Sequence, residues 1–132
     1  MFLILFLISF LLNSSASNKL PRDVIMIWKN VTNAYHKECL SISNANPNLI
    51  NLMLERANVP DDVSLGCYLR CVYEKMGVLE YDGKFNLATI MNKCPYMTEE
   101  ITVRCTTASK NVQDLCQKSL VTCNCTVIAL RY

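Results

Sequence analysis

The sequence predicts an all-α fold of six short helices stapled by disulfides. Three observations predict it. Apolar residues recur three and four positions apart in segments punctuated by Pro, Gly and Asn, which is the repeat of a helix face. No segment reads as a confident strand, although residues 126–132 are β-prone. All eight cysteines lie behind an apolar leader, and an even count in that setting implies disulfides over metal ligands or free thiols.

The leader is Met1 to Ser17. An apolar run through Leu12 turns small and polar at Asn13-Ser14-Ser15-Ala16-Ser17, the pattern of a signal peptide cut after Ser17, although the usual basic start is missing. The run is too short to span a bilayer, and no later stretch is longer. Residues 18–132 are then a single secreted, extracellular domain. The net charge is +2, with no basic run of five, which argues against nucleic acid or anionic lipid as partner.

The first helix is expected from Pro21 to about Cys39, with Val24, Ile27 or Trp28, Val31, Ala34 or Tyr35, and Leu40 recurring at helical spacing. A second starts at Asn46-Pro47 and stops before Asn58-Val59-Pro60. The third, Asp61 to Met76, organises the chain. Cys67 and Cys71 sit one turn apart on one face, where they cannot easily bridge each other. Each must reach a different segment, so one helix is bolted to two others. Gly77 ends it, and Asp82-Gly83 marks a turn. A fourth helix covers Phe85 to Lys93, closed by Cys94-Pro95. A fifth is capped by Thr98 with Glu99 and Glu100 in its first turn. The sixth is expected from Val112 to about Cys125, followed by the tail 126–132.

Twenty-seven residues separate Cys39 from Cys67, three separate Cys67 from Cys71, ten separate Cys105 from Cys116, and eight separate Cys116 from Cys125. This spacing resembles the six-cysteine insect odorant-binding (pheromone-binding) protein family. The segment Val78-Leu79-Glu80-Tyr81-Asp82-Gly83-Lys84-Phe85-Asn86 looks like that family's turn between third and fourth helices. The resemblance implies six helices around an apolar ligand cavity, with bridges Cys39–Cys71, Cys67–Cys116 and Cys105–Cys125. The two additional cysteines, Cys94 and Cys123, are then expected to pair with each other. Without the resemblance, eight cysteines allow 105 pairings.

Catalysis finds little to work with. His36 is the only histidine; it reads as a half-exposed helix residue before it reads as a general base or pH switch. A secreted phospholipase would need a Cys-Cys-x-x-His helix and a calcium loop, and neither motif occurs; nor does a Gly-x-Ser-x-Gly elbow or a zinc-type histidine pair. The expectation is therefore no enzyme, no cofactor and no metal. Asn30-Val31-Thr32 is a glycosylation sequon within the first helix, and Asn124-Cys125-Thr126 a poorer one.

Met26, Met53, Met76, Met91 and Met97 give the interior an adaptable, apolar character. Ordinary core packing would use such residues too; the disulfide scaffold is what favours a cavity. Helix faces and the resemblance together select the candidate lining. It comprises Ile27, Trp28 and Val31 of the first helix, Met53 and Leu54 of the second, and Leu69, Val72, Tyr73 and Met76 of the third. Leu79, Ile90, Met91, Leu115, Ser119, Val127 and Ile128 complete it. Tyr73 and Ser119 are the candidate polar contacts. The apolar tail is expected in the cavity wall, with Tyr132 or the terminal carboxylate bonding back. The implied function is a carrier that reversibly encapsulates a small hydrophobic molecule such as an odorant or pheromone. A membrane chemoreceptor is a second partner, and monomer or weak homodimer the expected state. The competing class is a secreted interaction protein that binds a receptor or protease through its surface and has a filled core.

Overall fold

Helix punctuation is largely local chemistry. The computed structural model describes residues 18–132, so the leader expected at residues 1–17 lies outside the described residues. Helix α1 spans Arg22–Ser43, α2 Pro47–Arg56, α3 Val63–Met76, α4 Leu87–Lys93, α5 Glu99–Ala108 and α6 Leu115–Leu130. Five of the six begin on a side chain that accepts a bond from the first turn. These are Asn46 from the N–H of Asn48, Asp62 from Leu65, Asn86 from Thr89, Thr98 from Ile101 and Asp114 from Gln117. A bond from the Ser64 hydroxyl holds the Asp62 carboxyl below its usual range, so the cap stays ionised. Only α1 lacks such a cap; Pro21 precedes its first residue instead of occupying it. That helix also runs four residues past the expected end at Cys39, to Ser43, before Asn44 turns left-handed at φ 55°.

The larger departure is α6. It starts at Leu115 and absorbs most of the expected tail, continuing to Leu130. No Pro or Gly interrupts residues 115–132, and Thr126, Val127 and Ile128 are carried as helix despite their β-propensity. Tertiary contact decides: Val127 is buried against the rest of the core. The turn after α3 carries a single antiparallel bridge, Leu79 to Phe85. Gly83 bends it at φ +84°, and the buried Lys118 of α6 donates to the Gly83 carbonyl.

α3 packs against both α1 and α6, with α5 on α6 and α4 on α5. Both cysteines of α3 are oxidised, to different helices as their spacing requires: Cys71 to Cys39 of α1 and Cys67 to Cys116 of α6. Cys105–Cys125 joins α5 to α6. The fourth expected bridge is absent: Cys94 and Cys123 are buried free thiols. Each has another neighbour. The Cys123 sulfur lies 3.6 Å from the Met53 sulfur and within hydrogen-bonding reach of Tyr73, while Cys94 meets Tyr96.

α3 and α6 approach closely at Gly66. A Cβ there would lie 2.5 Å from the Cys116 carbonyl oxygen and 3.3 Å from the Leu120 Cβ. The obstacle is backbone, so it cannot turn aside. Gly66→Ala should therefore destabilise by about 1–3 kcal/mol, although the same change in an open helix stabilises by roughly 1 kcal/mol. Thermal unfolding checks the sign; the melting temperature should fall by roughly 5–15 °C. A thiol-reactive reagent should find no group on the oxidised folded chain and two after unfolding without reductant.

Candidate functional site: an apolar cavity with one polar edge

The helices leave a cavity of about 80 Å³ between them. Val24 and Trp28 of α1, Met53 and Leu54 of α2, Tyr73 and Met76 of α3, and Ile90 of α4 supply much of its wall. α6 adds Thr122, Cys123, Thr126, Val127 and Leu130. The connections complete it with Leu20, Val78, Phe85, Cys94, Tyr96 and Met97. No charged side chain lines it among the described residues. An apolar void of roughly 150 Å³ suffices for benzene, so this cavity as it stands holds only a fragment of a long-chain molecule. Three thioethers in the wall, Met53, Met76 and Met97, are the side chains best able to move aside.

Tyr73 stands edge-on between two other rings, 6.2 Å from Trp28 and 6.1 Å from Phe85 between centroids. Its hydroxyl meets the Cys123 thiol, and the Tyr96 hydroxyl meets that of Cys94. Burial pushes both phenols well above their ordinary range, and the neighbouring thiols add to this. Burial likewise raises Cys94 and pushes Cys123 up to about 11, so all four groups are neutral near pH 7. The two threonines contribute little polarity. The Thr122 hydroxyl lies 2.9 Å from the Lys118 carbonyl and 2.6 Å from Ser109, and Thr126 donates to the Thr122 carbonyl.

The two ends of the described chain close one side. Lys19 and Tyr132 exchange both main-chain hydrogen bonds, at 3.0 and 2.9 Å, beside the lining residues Leu20 and Leu130. Tyr132 thus bonds back through its main chain, while its side chain is exposed.

Of the residues selected from sequence, Trp28, Met53, Leu54, Tyr73, Met76, Ile90 and Val127 come together around the cavity. Ile27 and Met91, one helical step from Trp28 and Ile90, are half-buried outside the lining, and Val31 packs against the core. Leu69 and Val72 have no exposed surface and fill the helix interface. Leu79 is buried at its bridge to Phe85, and Leu115 lies against Gly83. Ser119 is fully buried, with its hydroxyl given to the Leu115 carbonyl at 2.7 Å, which removes it as a polar contact. Ile128 faces an outer groove with Arg104 and Val121. Tyr96 and Met97 carry no periodic signal because they follow Pro95 in a connection. Cys94 and Cys123 were hidden by the expected bridge. Val24 shares the first helix's apolar repeat with Trp28, so that signal was present.

His36 lies outside the cavity. Its Nδ1 is 2.7 Å from the hydroxyl of Tyr68, a ring with almost no exposed surface. Burial pushes that phenol up to about 12. No group of three metal-ligating side chains occurs among the described residues, and no described helix is long and apolar enough to cross a membrane.

The PBP/GOBP family profile matches residues 28–127, a span that covers α2 to α5 and most of α1 and α6. The curated proteins contain no match.

Three of the six tyrosines thus have phenols held protonated by burial. A phenol ionises near pH 10 in the unfolded chain. Stability from the raised groups is therefore complete below pH 10 and is lost as pH rises beyond it. Tyr68 alone, between pH 10 and 12, accounts for about 2–3 kcal/mol. An alkaline titration followed by phenolate absorbance should show these three rings ionising only as the fold is lost.

Proposed function

The chain belongs to the PBP/GOBP family, the insect odorant- and pheromone-binding proteins, and from that premise we propose that it is a secreted carrier of small hydrophobic molecules. Its mode of action is reversible encapsulation. The observation that carries this reading is the uncharged cavity walled by five helices, three of which, α1, α3 and α6, are tied together by disulfides. The ligand lies against Trp28, Met53, Tyr73, Met76, Ile90 and Val127. Three disulfides suit an oxidising, extracellular setting. Odorants, pheromones and similar semiochemicals are the ligand class, and handing one to a membrane chemoreceptor is the role that would follow.

Burial of about ten methylenes yields on the order of 8 kcal/mol of transfer energy. Association and the displacement of the methionines take back several kcal/mol. Polar contacts and the surrounding rings must offset that loss in full for affinity to reach the micromolar range, about −8 kcal/mol.

Titration of the oxidised chain with an apolar fluorescent probe tests the reading. Saturable micromolar binding, displaced by long-chain alcohols or esters and lost on reduction, supports it. Absence of binding by folded, lipid-free protein rejects it in favour of an interaction protein with a filled core. Removal of residues 127–132 deletes Val127 and Leu130 from the wall and should weaken probe binding by about ten- to a hundredfold.

A further inference from the structure

Four polar side chains of the cavity wall neighbour one another and form an edge that offers donors. It brings together Tyr73 of α3, Cys123 of α6, and Cys94 and Tyr96 of the connection after α4. The threonine hydroxyls are already engaged with main-chain carbonyls or Ser109. The two phenols differ. Among the described residues each meets a thiol, and sulfur is a weak acceptor, so each O–H has a better bond to make.

We propose that Tyr73 and Tyr96 form a hydrogen-bond-donating edge that selects neutral ligands with a carbonyl oxygen, such as ketones, aldehydes and esters, over hydrocarbons of equal length and over carboxylates or amines. The inference rests on the carrier reading above and names the ligand class. A carbonyl oxygen has two lone pairs and accepts from both phenols at once. Tyr73 is held between Trp28 and Phe85, so little side-chain freedom is lost when it bonds. A carboxylate or an ammonium would enter a wall without a counter-charge, and its desolvation would go uncompensated. Burial keeps both phenols protonated, hence donors, throughout the physiological pH range. It also keeps the two thiols protonated and poorly nucleophilic, so an aldehyde is held without being captured.

The test is a calorimetric titration with a straight-chain methyl ketone, the alkane and the carboxylate of the same chain length. It uses the oxidised wild-type chain, Tyr73→Phe, Tyr96→Phe and the double variant. In the wild type the ketone should bind about tenfold or more tightly than the alkane, with the carboxylate weakest. Each single change should lower ketone affinity by about three- to tenfold and leave the alkane unaffected, and the double change should bring the ketone-to-alkane ratio close to one. An unchanged ratio in the double variant, or a carboxylate that binds the wild type as tightly as the ketone, overturns the inference; retained alkane binding then leaves the carrier reading intact. If no member of the series binds the wild type, both are overturned. The carbonyl stretching band of the bound ketone decides without any variant. A shift to lower frequency than in alkane solvent supports the two bonds, and an alkane-like band overturns them.

Discussion

The architecture depends on how closely α3 and α6 approach. Gly66 lets one backbone reach the other, and Cys67–Cys116 fixes the contact at a Cα separation of 4.4 Å. One turn further along α3, Cys71 takes hold of α1. These three helices then cannot close onto each other beyond the positions the bridges allow. Tyr73 and Met76 emerge from the same helix just past both anchors, and there the cavity opens. Bridges thus replace some of the contiguous core that a chain of this size would otherwise need.

A second line of contacts joins the turn after α3 to the cavity. Lys118 is buried with no carboxylate partner among the described residues; its ammonium bonds the Gly83 carbonyl and lies 5.7 Å from the centre of the Phe85 ring. Phe85 meets Tyr73 edge-on, and Tyr73 meets Trp28. A continuous line of contacts thus runs from the Asp82–Gly83 turn to the α1 wall.

How much of this was legible in the sequence depended on the range of the interaction. Asn46, Asp62, Asn86, Thr98 and Asp114 act within one turn of themselves, and Pro and Gly stop helices by local sterics, so most boundaries could be read to within a few residues. The three bridges were reachable through spacing and resemblance. The end of α6 was not. That helix is buried on several faces, at Cys116, Lys118, Ser119, Leu120 and Cys123, so its apolar residues show no single-faced repeat and no stop signal. The Cys94–Cys123 expectation failed for a different reason. Counting cysteines cannot show that each sulfur already has a phenol or thioether beside it. For the lining, face patterns identified residues such as Trp28 and Met53 within helices; they could not reach Tyr96, which a non-periodic connection delivers to the wall.

The mutual hydrogen bonds of Lys19 and Tyr132 hold two segments distant in sequence side by side. Any change that pulls Lys19 and Tyr132 apart therefore acts next to Leu20 and Leu130, and loosens two pieces of the cavity wall at once.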